Sequence, residues 1–331
     1  MKKIAIAGLS HIHLPDFVRR IKLRSSVEVV ALWDHDCNLA KKYALELNCK
    51  SVSKCDALWR DPEVDAIIVC SETNLHKDIV PFAATAGKHL FVEKPLGFAA
   101  SDALEMAKVV EKSGVLFQTG YFMRGRSPHM ALKEMVQSGV FGKITRVRHV
   151  NCHCGSLGGW FDTDYRWMTN PEIAGCGAFG DLGTHSLDIL MWLFGMPESV
   201  TADIAVVTGR YGDKCDETGS ALLRFPDGMV ATMSGAWVDL ICPITCEVSG
   251  TEGFAYIRNE ELFVKSNKLE NADGETPWKN LPDELPHAFD LFLDALEGKN
   301  VPLVSASEAA QRNVVMEALY RAAASHSWIT L

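Results

Sequence analysis

Over the first 120 residues, short apolar runs alternate with stretches of helical periodicity, the pattern of a parallel sheet wrapped by helices. Residues 3–7, 27–33, 66–70, 89–92 and 115–120 read as strands. Residues 14–23, 37–47, 79–86 and 100–113 read as the helices between them. Open sheets of this kind bind ligands outside the carboxyl ends of their strands, so the strand ends are where chemistry is sought.

After residue 121 the texture changes. A helix over 128–139 leads into a long strand over 144–154 and then a glycine-dense stretch. Six alternating segments follow (200–207, 219–225, 229–238, 245–250, 254–258 and 262–266), joined by turns such as Pro226-Asp227-Gly228. Strands joined by turns predict a large, mostly antiparallel open sheet in an α+β domain, closed by helices over 286–297 and 306–324. The expected division is 1–120 and 121–331, a size that suits two domains.

A 47% hydrophobic and 23% charged composition is that of a globular protein. No apolar run approaches the roughly 20 residues that span a bilayer. The apolar N-terminal stretch ends at Leu9, too short for a secretory core, so a cytoplasmic protein is expected. A net charge of −9 with no basic stripe excludes a nucleic-acid partner. Cys152-His153-Cys154 has no second pair at zinc spacing, the ten cysteines are expected as thiols, and no metal is expected there or at His11 and His13.

The first strand ends in Gly8-Leu9-Ser10-His11-Ile12-His13. A dinucleotide fingerprint asks for Gly at positions 8 and 10 and Gly or Ala at 13, and only Gly8 complies. Ser10 is small enough to let a backbone amide approach a pyrophosphate, whereas His13 departs from the pattern. The second strand ends at Asp34, 26 positions after Gly8, where a carboxylate accepts from ribose hydroxyls and repels a 2′-phosphate. No basic residue follows at once, which favours NAD over NADP; a solvated turn carboxylate is the other reading. His11-Ile12-His13 also suits a metal-dependent hydrolase on a (β/α)₈ barrel. That reading needs ligands at later strand ends, which carry Asp34, Asn74 and Lys94 instead. A third possibility is that both imidazoles sit at the start of the helix near Pro15.

In Ala174-Gly-Cys-Gly-Ala-Phe-Gly-Asp181-Leu-Gly-Thr-His185, the glycines permit unusual dihedrals near a ligand. Asp181 and His185 stand four apart on a helix that Gly195 and Pro197 close. The carboxylate can then orient the imidazole as a proton acceptor; a cap carboxylate beside a surface histidine is the alternative. Trp160, Phe161, Tyr165, Arg166 and Trp167 form an aromatic cluster able to pack against sugar C–H faces or to pin a loop.

Glu93-Lys94-Pro95 at a strand end, followed by Gly183-x-His185 on a later helix, resembles the Gfo/Idh/MocA family of nicotinamide-dependent oxidoreductases. The likeness continues at Val64 to His76, at Tyr165-Arg166-Trp167 and at Glu317-Ala-Leu-Tyr320, in the family's order across nearly the whole chain. The resemblance implies a Rossmann domain and a substrate-binding, oligomerisation domain, with the helix over about 305–325 able to pack on the first. It implies NAD-dependent hydride transfer at a secondary alcohol or ketone of a sugar, sugar derivative or cyclitol. The cofactor residues it implies are Gly8, Ser10, His11, Ile12, Asp34, Ser71, Asn74, His76, Glu93 and Lys94. Lys94, Asp181 and His185 would be catalytic, and Arg124, Tyr165, Arg166 and Trp167 would join them around the substrate. The peptide before Pro95 is often cis in this family, and a homodimer or homotetramer through the second sheet is expected. Two other activities remain open: a non-catalytic dinucleotide or sugar sensor, and glycoside cleavage through transient oxidation. A sensor has no need for an intact proton-transfer set.

Overall fold

The computed structural model describes residues 1–331, which form two compact units. The first comprises residues 1–121, 161–175 and 286–314, and the second comprises 122–160, 176–285 and 315–331.

In the first unit, six parallel strands are β1 (Lys2–Ala7), β2 (Val27–Trp33), β3 (Lys50–Ser51), β4 (Ala66–Val69), β5 (His89–Val92) and β6 (Phe117–Thr119). Their order β3-β2-β1-β4-β5-β6 is that of a doubly wound dinucleotide-binding sheet. The helices are α1 (Leu14–Lys22), α2 (Cys37–Leu47), α3 (Asp56–Arg60), α4 (His76–Thr85) and α5 (Ala100–Ser113). β4 reads Ala-Ile-Ile-Val because both of its faces are buried. α1 starts with Pro15 in its first turn and buries Leu14, Phe17, Val18 and Ile21. Asp36 caps α2 by accepting from the Asn38 and Leu39 amides.

The second unit holds α6 (Ser127–Gln137) and nine strands: β7 (Ile144–Cys152), β8 (Ser199–Ala205), β9 (Thr218–Arg224), β10 (Val230–Ala236), β11 (Ile244–Gly250), β12 (Gly253–Arg258), β13 (Glu261–Ser266), β14 (Asp273–Pro277) and β15 (Ile329–Thr330). Their order is β14-β13-β12-β11-β7-β10-β9-β8-β15, antiparallel except for the β7–β10 pair. A short α7 (Pro171–Ala174) belongs to the first unit, and α8 (Ala178–Phe194) to the second. The last two helices are α9 (Ala288–Leu296) and α10 (Ala306–Ser325), followed by β15.

The division departs from a single cut at residue 120. Phe289 of α9 stacks on Phe17 at 4.3 Å, and Phe292, Leu293 and Leu296 join the core around α1, so hydrophobic burial draws this late segment into the first unit. Val304, Ala306, Ala309 and Ala310 also pack in the first unit's core, while Val315, Met316, Ala318 and Leu319 pack in the second's.

β3, β14 and β15 escape the sequence reading. β3 and β15 are two residues long, and β14 is a polar edge strand containing Pro277. The strands of the second sheet present two unlike faces. Ala221, Leu223, Ala231 and Met233 point into the core, which leaves Ser220, Leu222, Arg224, Val230, Thr232 and Ser234 on the other face. That face is mixed, because strand alternation sends the larger apolar set inward.

Candidate active site

In the first unit the turn after β1 is shaped by Gly8 (φ +84°); a Cβ there would lie 2.2 Å from the Ser71 Cα, so only glycine fits. Asp34, at the end of β2, is buried and holds this turn. Its Oδ2 accepts from the Leu9 amide at 2.6 Å and its Oδ1 from the Asp36 amide at 2.8 Å. Ile12 lies in the same turn, and buried Ser10 accepts the Trp167 indole N–H on its carbonyl at 2.9 Å. Trp167 therefore braces the loop by a hydrogen bond, and its ring lies 6.0 Å from that of His11. Asn74 sits in the 3₁₀ turn Thr73–Leu75 after β4. His76 opens α4 fully buried and donates from Nδ1 to the Leu96 carbonyl at 3.0 Å; burial pushes its pKa down.

Glu93, Lys94 and Pro95 follow β5, and the Lys94–Pro95 peptide is cis. Glu93 is 0% exposed. Burial alone raises a carboxyl's pKa, yet the imidazoles of His11 and His13 and the Lys94 ammonium hold this one well below the usual range. His13 Nδ1 donates to Glu93 Oε1 at 3.0 Å, and the Lys94 amide donates to Oε2 at 3.1 Å. Asn313 clamps the following turn by donating to the Gly97 carbonyl at 2.7 Å. Of the other residues expected around the substrate, Tyr165 is half-buried, and Arg166 pairs with Asp162 at 3.0 Å on the surface.

In the second unit α8 begins at Ala178, so Gly180 and Gly183 lie inside the helix. Gly175, just before the helix, takes the left-handed φ of +83° that the glycine-rich stretch allows, while Gly180 and Gly183 serve packing. A Cβ on Gly235 of β10 would sit 2.7 Å from the Gly183 amide nitrogen, so helix and strand meet backbone to backbone. The helix start is capped from outside. Asp216 accepts from the Gly177 amide at 3.0 Å and the Phe179 amide at 2.7 Å, and Tyr320 Oη donates to it at 2.9 Å while accepting from the Gly180 amide. Burial raises the pKa of Asp216 against these hydrogen bonds.

On this seated helix Asp181 lies in the first turn and His185 one turn later, only 4% exposed. The Trp237 indole donates to Asp181 Oδ2 at 3.0 Å, and the Phe122 ring meets the His185 ring edge-on at 5.4 Å. Beside His185, Ser186 Oγ pairs with His149 Nδ1 at 2.9 Å, and His149 Nε2 meets His129 Nε2 at 3.3 Å. Burial pushes His129 down to about 4 and His149 well below the usual imidazole range. Arg124, expected at the substrate, donates from Nε at 2.8 Å and Nη2 at 2.6 Å to Asp188, one turn below His185. Sequence reading assigns Trp237, Asp216 and His149 no site role, and Asp188 closes the glycine-rich stretch 174–188 without a role of its own. The available signal was a histidine at an inward register position of β7.

Residues 2–121 match the family model described as "Oxidoreductase family, NAD-binding Rossmann fold", and residues 129–256 match "GFO/IDH/MocA C-terminal domain". The chain is similar to the 1,5-anhydro-D-fructose reductase of Ensifer adhaerens, 29% identical over 90% of this chain and 89% of that protein. It is also similar to the levoglucosan dehydrogenase of Pseudarthrobacter phenanthrenivorans, 26% identical over 94% and 89%. A solved levoglucosan dehydrogenase in complex with NADH and levoglucosan shares the fold, with a TM-score of 0.81 and 22% identity over 99% of both chains. With both halves matched in order and the Glu93-Lys94-Pro95 and Asp181/His185 positions placed as described, this chain belongs to the Gfo/Idh/MocA oxidoreductases and carries their NAD-binding Rossmann domain.

Proposed function

We propose that the protein transfers a hydride between NAD and a secondary alcohol or ketone of a sugar, sugar derivative or cyclitol. The observation that carries this reading is the seat of Asp181 and His185: successive turns of one helix, fixed backbone to backbone on its sheet, with the carboxylate held by Trp237. His185 takes the hydroxyl proton as the hydride leaves, and Asp181 orients and supports the ring. Lys94 donates to the reacting oxygen and stabilises its developing charge. NAD supplies the hydride acceptor; Gly8, Ser10 and Asp34 of the first turn would hold its pyrophosphate and ribose. The two similar enzymes are named for anhydro sugars, which supports a cyclic sugar as substrate.

The test is an NADH fluorescence titration followed by a panel of sugars, anhydro sugars and cyclitols, read as NADH formation. His185→Ala and Lys94→Ala should lower kcat by roughly 10²–10⁴-fold with NADH binding retained. Near-normal kcat in His185→Ala overturns the assignment, and NADH binding with no turnover of any panel member would favour a sensor.

We further infer a homodimer or homotetramer through the second sheet, whose one face is buried while the other carries half-exposed Leu222 and Val230. Light scattering should give two or four times the 36.4 kDa chain mass, and a monomer would count against it. No helix is long and apolar enough to cross a membrane. A cytoplasmic location is proposed because the ten cysteines form no disulfide; recovery of the protein in a periplasmic or secreted fraction would refute it.

A further inference from the structure

The turn after β1 departs from the dinucleotide pattern at Ser10 and His13, and the fold gives that departure a chemical context. His11, His13 and Glu93 each offer a donor atom, and these atoms all lie within 4.8 Å of one another. His13 Nδ1 is 3.0 Å and His11 Nδ1 3.8 Å from the same carboxylate oxygen of Glu93. Two donors bound tetrahedrally to one zinc ion, at bonds of 2.0–2.1 Å, stand about 3.3 Å apart. The two observed separations bracket that value, so modest rotations bring both imidazoles to one ion.

The burial of the set suits a metal as well. Glu93 is fully buried, His11 is 3% exposed, and His13 is 39% exposed, so the cluster opens to solvent on one side. Two imidazoles and one carboxylate with further positions open is a ligand set for a borderline transition metal, and a poor one for the hard, oxygen-seeking magnesium ion. Sequence showed only the two histidines; the third ligand emerges because β5 ends beside the turn that follows β1. The sheet is not a (β/α)₈ barrel, so the site gives no support to the hydrolase reading.

The same turn has lost part of the machinery that normally greets a pyrophosphate. α1 starts only at Leu14, its His13 cap makes no side-chain hydrogen bond to the helix, and its first turn carries Asp16. A divalent ion at this point supplies the positive charge that glycine-exposed amides and a helix N-terminus otherwise provide.

We propose that His11, His13 and Glu93 form a zinc-class metal site in the cofactor turn, with the open positions of the ion directed to the dinucleotide pyrophosphate. On binding, the ion replaces the proton that His13 Nδ1 donates to Glu93, and that proton passes to solvent. The phosphate part of the proposal rests on the NAD reading above; the metal part does not.

The test uses the full-length protein, stripped with chelator, desalted and loaded with Zn²⁺ or Co²⁺, with Mg²⁺ as a control. The expected result is about one transition-metal ion per chain by mass spectrometry, a visible Co²⁺ ligand-field band, and a shift of that band when NADH is added. His11→Ala, His13→Ala and Glu93→Gln should each weaken metal binding by more than the roughly 10–100-fold that an outer-shell partner costs. His35→Ala, an exposed histidine outside the cluster, should leave it unchanged. Substoichiometric metal, or metal retained by His11→Ala or His13→Ala as firmly as by the parent, overturns the site. A Co²⁺ band unmoved by NADH, while NADH fluorescence shows binding, overturns the phosphate role. If NADH fails to bind at all, the cofactor reading falls, and metal stoichiometry still decides the site.

Discussion

The wholly buried indole of Trp237 donates its N–H to Asp181 Oδ2 at 3.0 Å, so a residue just past β10 fixes the carboxylate one turn before His185. Trp237→Phe removes that donor and keeps most of the packing. It should lower kcat by roughly tenfold, equivalent to about 1.4 kcal/mol of transition-state support, without changing NADH affinity. An unchanged kcat with only a lower Tm would mean that the bond is structural.

Arg124 and Asp188 form a two-point ion pair in which Asp188 is 1% exposed. Removing one partner strands a buried charge. Arg124→Met or Asp188→Leu should each cost about 3–5 kcal/mol of stability, and the double variant should recover much of the loss. Urea unfolding of the four proteins checks this. If Arg124→Met instead leaves stability intact and raises KM for the substrate, Arg124 serves the ligand directly.

Burial holds both His129 and His287 down at about 4. Between there and an unfolded value near 6.5, the unfolded chain binds protons that the native state refuses. Their contribution to stability is therefore complete above about pH 6.5 and is lost as the pH falls toward 4, at up to about 1.4 kcal/mol per pH unit for each group. His129→Gln should flatten the dependence of the unfolding free energy on pH across this window. Equal slopes in variant and parent would refute the assignment.

Asp34 accepts from the Leu9 and Asp36 amides, so it shapes the turn after β1 in which we propose that the cofactor binds. NADH should bind at least about tenfold more tightly than NADPH, a difference of about 1.4 kcal/mol. Asp34→Ser should narrow the gap and weaken NADH binding, because the turn loses its anchor. Equal or tighter NADPH binding by the parent protein would reverse the preference.

The parallel sheet was legible because its buried strands are short, continuous apolar runs between clear helices, as in Ala66–Val69. The candidate acid–base pair was legible because four-residue spacing has one meaning on a helix. What sequence could not supply were partners from distant segments. Asp216 caps α8 from 37 residues away in sequence, and Glu93 meets His13 across 80. α9 reads as a plain apolar helix, and nothing local says that its Phe289 will stack on Phe17.

The meeting of Gly183 with Gly235 bears on how this enzyme can change over time. A helix cushioned by side chains shifts whenever one of them is exchanged, and whatever it carries shifts too. Here main chain rests on main chain, so the surrounding core can drift through many hydrophobic substitutions while His185 keeps its height above β10. New specificities are then free to arise in the loops, and a single added methyl group on Gly235 would be enough to lift the helix off its bed.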